Sequence, residues 1–174
     1  HSGLFPKLAK EGFSGPIYST KGTRDLSTYM LLDSARIQQE DEKFIKKHKI
    51  ESPIEKKVPL YTVDDVNRVM KQFVGKDYGE IFDVTEDISA TFCEAGHVLG
   101  SAVIILKVQT AEGEKKILFT GDLGRQDMPI IRDPKMIGSA DYLIIESTYG
   151  DRAHEGVKEI KSELKEIISK TANR

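Results

Sequence analysis

Apolar positions are spaced differently in the two halves of the chain. Between Thr23 and Lys49 they recur at helical intervals, with Met30, Ile37 and Phe44 at heptad spacing and Leu26 one turn earlier. This predicts a long helix that buries those four residues. A shorter helix is expected over Ser2 to Lys10, ending at Gly12, followed by a strand-like run from Pro16 to Ser19. Pro53 and Pro59 interrupt the next segment. Thr62-Val63-Asp64-Asp65 then has the form of a capping box, with Asp in place of the usual Glu, and predicts a helix to about Phe73. From Gly79 onward the pattern changes to short runs rich in β-branched and aromatic residues: Glu80 to Val84, Ile88 to Cys93, Ala102 to Val108, Lys116 to Thr120 and Tyr142 to Glu146. Gly113 lies between two of them, as in a hairpin, and the strands are expected to be antiparallel neighbours in one sheet. The final segment sets Val157, Ile160, Leu164, Ile167 and Ile168 on one stripe of an amphipathic helix. No repeat or low-complexity tract interrupts this α/β pattern.

Composition fits an ordinary soluble domain, with 39% hydrophobic and 31% charged residues. The longest apolar stretches, Val103 to Leu106 and Tyr142 to Ile145, fall far short of the roughly 20 residues a membrane helix needs, so no membrane association is expected. The segment His1 to Lys7 lacks the basic and apolar regions of a secretory leader, and it has no initiator Met, as if the chain began inside a larger protein. Cys93 is the sole cysteine, which excludes an internal disulfide and fits a reducing, cytoplasmic setting. The net charge of −2 excludes binding of nucleic acid through an overall basic surface, so any such contact must be local. Lys43, Lys46, Lys47, Lys49, Lys56 and Lys57 are interleaved with acids and read as solvated surface.

The chemistry lies at strand ends. His97 follows a strand within Gly96-His97-Val98-Leu99-Gly100, Asp122 stands between Gly121 and Gly124, and Glu146 ends the strand before Ser147-Thr148-Tyr149-Gly150-Asp151. Each alone has a plain reading: a structural histidine, a turn residue and a cap. Together, imidazole and carboxylates are donors suited to a hydrolytic zinc or manganese site. These residues by themselves leave the metal site and the plain readings equally open.

Several segments nevertheless resemble, in order and over most of the chain, the β-CASP branch of the metallo-β-lactamase superfamily, particularly its prokaryotic RNA exonucleases and endonucleases. They are His1-Ser2-Gly3-Leu4, Gly15-Pro-Ile-Tyr18, Thr23-Arg-Asp-Leu26, Asp33-Ser-Ala-Arg-Ile-Gln38, Pro59-Leu-Tyr-Thr62, Ala95-Gly-His-Val-Leu-Gly-Ser-Ala102, Gly121-Asp-Leu-Gly-Arg125 and Glu146-Ser-Thr-Tyr-Gly-Asp-Arg152. The resemblance implies a partial metallo-β-lactamase fold, an αββα sandwich, over residues 1–146, with a β-CASP insertion beginning at 147–174. It implies that His1 is the last histidine of a His-x-His-x-Asp-His motif whose earlier part would precede residue 1.

By the same resemblance, His97 completes the ligands of a first zinc ion, His1 binds a second, and Asp122 bridges the two. Glu146 is a supporting acid that orients a histidine near the scissile phosphate. His48 and His154 receive no role beyond exposed structural ones. The implied activity is metal-dependent hydrolysis of RNA phosphodiester bonds with two zinc ions, and residues 1–174 alone are expected to be inactive. Two alternatives stand beside it: a DNA nuclease or other hydrolase of the same superfamily, and a catalytically silent RNA-binding or scaffold subunit.

Overall fold

The computed structural model describes residues 2–48, 58–152 and 157–173. A single 3-10 turn, Ser2–Leu4, leads into helix α1, Phe5–Lys10, which Pro6 opens at a position where its missing N–H costs nothing. Strand β1, Ile17–Thr20, runs directly into the long helix α2, Lys21–His48. Thr20 caps that helix, its Oγ1 accepting from the Thr23 N–H at 3.1 Å.

The capping box at the next helix is present. Thr62 Oγ1 accepts from Asp65 N at 3.4 Å, and Asp65 Oδ2 accepts from Thr62 N at 2.9 Å. Helix α3 is shorter than expected, Val63–Val69 followed by a 3-10 turn at Met70–Gln72. Phe73 belongs to an unexpected strand, β2, Phe73–Lys76, which pairs in parallel with β1.

The buried stripe of α2 differs from the expected one. Leu26, Met30, Ile37 and Phe44 are 41–56% exposed, whereas Ser27, Leu31 and Ala35 are buried. The true core face lies one residue along, about 100° around the helix. Leu31 and Ala35 pack there with Tyr61 and Val66, and the Tyr61 hydroxyl reaches Ser34 Oγ at 2.9 Å. Small side chains on that face let α3 approach closely; the larger exposed residues made the wrong stripe more conspicuous.

The remaining strands, β3 Ile81–Asp83, β4 Ile88–Glu94, β5 Ala102–Thr110, β6 Gly113–Phe119 and β7 Tyr142–Ile144, form one sheet in chain order. Adjacent strands from β3 to β6 are antiparallel as expected, with the Thr110–Gly113 hairpin between β5 and β6. The last pair departs from expectation: β7 lies parallel to β6, because residues 120–141 carry the chain back before it re-enters the sheet. Period-two alternation gives the sheet two apolar faces. Phe82, Ala90 and Phe92 lie on one, where the Tyr18 ring stacks 4.9 Å from Phe82 and joins the two sheets. Cys93, Ala95, Val103 and Leu118 form the other, covered by Ile137 and Ala140. The result is a mixed α/β fold. At its margin, Leu143 and Ile144 of β7 are half exposed, as are Leu164, Ile167 and Ile168 on the terminal helix α4, Val157–Ala172.

Candidate metal cleft at the sheet edge

Strands β4 and β6 flank the antiparallel β5 and therefore run in the same direction, and β7 runs with them. All three end at one edge of the sheet. Each is followed within a few residues by one of the singled-out side chains. His97, Asp122 and Glu146 consequently line one cleft of about 500 Å³. His97 Nε2 stands 3.8 Å from Asp122 Oδ2, and both side chains are about half exposed.

The loop carrying His97 is held from several sides. Ser101 Oγ accepts from the backbone N–H groups of His97 and Val98 at 3.1 and 3.2 Å, and Glu94 Oε1 accepts from Gly96 N at 3.1 Å. The Gly100 carbonyl accepts from the hydroxyls of Thr20 and Thr23 at 2.7 and 2.8 Å, which fastens the loop to the first turn of α2. Gly100 has φ +87°, and a Cβ there would run into the Thr23 backbone. Glycine is required on both counts. Tyr78 donates to the Ser101 carbonyl at 2.8 Å, and burial pushes its phenol up, keeping it a donor.

The Asp122 loop is anchored by Glu146. The carboxylate accepts from Leu123 N at 2.6 Å, and this hydrogen bond, with others from Thr148, holds Glu146 below the usual carboxylate range. Gly124 N donates to the Ala95 carbonyl at 2.8 Å, and a Cβ on Gly124 would collide with the Gly96 carbonyl. The His97 and Asp122 loops thus lie backbone against backbone.

Imidazole and carboxylate form the right donor chemistry for zinc, and their separation lets both face one ion. Among the described residues no third His, Cys, Asp or Glu joins them in a cluster that could hold a metal. Catalytic zinc takes three protein ligands, one more than these two side chains supply. His1 and His154 lie outside the described residues. His48 lies far along α2, its Nδ1 2.9 Å from the Phe44 carbonyl oxygen and its ring against Phe44, in keeping with a structural role. Arg125, Met128, Thr148 and Tyr149 also line the cleft. Arg125, Thr148 and Tyr149 lie within the Gly121–Arg125 and Glu146–Arg152 segments, and that placement is the signal the sequence carries for them.

No family model matches the chain. Individual proteins do. Ribonuclease TTHA0252 of Thermus thermophilus is 31% identical over 175 residues, which take in 100% of this chain and 35% of the ribonuclease. Transcription termination factor FttA of Methanothermobacter thermautotrophicus is 32% identical over 98% of this chain and 24% of its own length. FttA of Methanocaldococcus jannaschii is 33% identical over 100% of this chain and 25% of its own length. The chain is homologous over its full length to these β-CASP metallo-β-lactamase proteins. It spans about a quarter to a third of the length of these β-CASP relatives. The cleft lies within that shared span.

Proposed function

We propose that this chain forms one wall of the metal cleft of an RNA phosphodiesterase. The observation that carries the reading is the convergence of His97 Nε2 and Asp122 Oδ2 to 3.8 Å at the edge where three strands end. RNA is favoured as substrate because one relative is named a ribonuclease and others transcription termination factors.

In this reading His97, His1 and Asp122 would hold two zinc ions, and Asp122, with two carboxylate oxygens, would be able to serve both. When bound there, such ions would supply an activated water and neutralise charge on a phosphate. The chain's own part is orientation. Ser101, Thr20 and Thr23 hold the His97 loop, and Glu146 holds the backbone next to Asp122, so both donors enter the cleft in fixed positions. Glu146 is a positioning residue here, through Leu123 N rather than as a ligand. Residues 1–146 are assigned to the metallo-β-lactamase sandwich and 147–174 to the start of a β-CASP insertion. Among the described residues no helix is long and apolar enough to cross a membrane, and action on RNA in the cytoplasm completes the reading.

A cleavage panel tests it. The full-length protein is incubated with matched RNA and DNA oligonucleotides and a β-lactam, with zinc, with manganese and with EDTA. Metal-dependent cleavage of RNA alone supports the proposal. Cleavage of DNA or the β-lactam in preference selects another hydrolase, and RNA binding without cleavage under all conditions selects a silent subunit.

A further inference from the structure

Tyr149 and Arg152 lie in the turn that follows Glu146. Tyr149 lines the cleft and is 49% exposed, and the Arg152 guanidinium carbon lies 4.8 Å from the centre of its ring. The turn carrying them has its own backbone bonds, Gly150 N to the Ser147 carbonyl at 3.0 Å and Arg152 N to the Tyr149 carbonyl at 3.4 Å. Arg125, which also lines the cleft, has its Nη2 against Met128 Sδ at 3.9 Å. Among the described residues neither guanidinium meets a carboxylate at ion-pair distance. A chain of net charge −2 can meet a polyanion only through such local cations.

We propose that Tyr149, backed by Arg152, is a nucleobase platform: a base next to the scissile phosphate stacks on the ring, while Arg152 and Arg125 face the flanking phosphates. An aromatic ring accepts any base face, and a guanidinium stacked on it adds a phosphate donor beside the same nucleotide. This makes Tyr149 a determinant of substrate class, selecting base-bearing polyphosphates over simple phosphodiesters. The inference rests on the reading of the cleft as a phosphodiester site.

The test uses the full-length protein and fluorescence anisotropy in EDTA, with two labelled probes: a decamer of oligoadenylate and a decamer of abasic ribose phosphate. The wild type is expected to bind oligoadenylate more tightly. Tyr149→Ala and Tyr149→Leu should weaken oligoadenylate binding about tenfold, the loss of roughly one stacked base, and leave the abasic probe unchanged. Arg152→Ala should weaken both probes. Equal effects of Tyr149→Ala on the two probes, or none on either, would overturn the platform. Hydrolysis of bis(p-nitrophenyl) phosphate, which carries no base, is followed in parallel. Its absence in the metal-loaded wild type counts against the phosphodiesterase reading, whereas the difference between probes judges the platform alone.

Discussion

Glu146 Oε1 accepts a 2.6 Å hydrogen bond from the backbone N–H of Leu123, the residue directly after Asp122. Two strand ends are thereby tied through the chain that presents the candidate ligand. If Glu146 acts this way, Glu146→Ala should release the Leu123 amide, and native-state hydrogen exchange should find its protection reduced while amides in β4 and β5 keep theirs. Glu146→Gln retains an acceptor oxygen and should retain most of that protection. RNA cleavage by the full-length Glu146→Ala protein is expected to fall about 10–100-fold, the usual cost of removing an outer partner of a metal site.

Helix α2 offers a direct comparison of two neighbouring positions. Leu31 is 2% exposed and Met30 55%. Leu31→Ala should therefore destabilise the fold by about 2–5 kcal/mol, whereas Met30→Ala should stay within about 0.5 kcal/mol. Chemical denaturation of both variants measures the difference. Equal losses would restore the Leu26–Met30–Ile37–Phe44 stripe as the core face.

The close approach of the His97 and Asp122 loops makes Gly124 sensitive to a single methyl group. Gly124→Ala drives a Cβ into the Gly96 carbonyl, backbone against backbone, so neither side can yield by a rotamer change. Destabilisation of about 3 kcal/mol, at the upper end for overpacking, is expected in thermal melts. Gly113→Ala, in the hairpin with open space around it, isolates the backbone cost at φ +109° without a steric clash.

The capping box at α3 carries a pH dependence. Burial would raise the Asp65 carboxyl, but hydrogen bonds from the Thr62 backbone and hydroxyl outweigh it and hold the group below its ordinary 3.8. A depressed folded-state value means the stabilisation is fully present above the unfolded value and is lost as pH falls through the folded one. The cap should therefore contribute uniformly from pH 5 to 8 and fade below about pH 4. Thr62→Ala should cost about 0.5–2 kcal/mol near neutrality and make the acid limb of the stability profile shallower. An unchanged acid limb would assign the acid sensitivity to other carboxylates.

The parts of this fold legible in the sequence are those set by local pattern. Strands β3 to β6 stand out as short β-branched runs, and the Thr62–Asp65 box marks a helix start because its chemistry is confined to four residues. Strand β2 was hidden because Phe73-Val74-Gly75-Lys76 continues a helical stretch and acquires its identity only by pairing with the distant β1. The parallel entry of β7 was hidden for the same reason, since direction depends on the path of residues 120–141. At the site, His97, Asp122 and Glu146 were visible as acids and an imidazole at strand ends. Their meeting depends on β5 reversing direction between β4 and β6, which is a property of the sheet. The places of Arg125 and Tyr149 on the cleft wall follow from loop paths that no short-range pattern encodes.

The central claim is that His97 and Asp122 serve one metal cleft. A double-mutant cycle on the full-length protein tests this most directly, with zinc affinity by calorimetry and RNA cleavage measured on His97→Ala, Asp122→Ala and the double variant. Residues that act as a unit are strongly non-additive. Each single variant should lose at least about tenfold in zinc affinity together with most of the cleavage, and the double variant should lose little more. Zinc binding and RNA cleavage that survive both single substitutions would contradict the account.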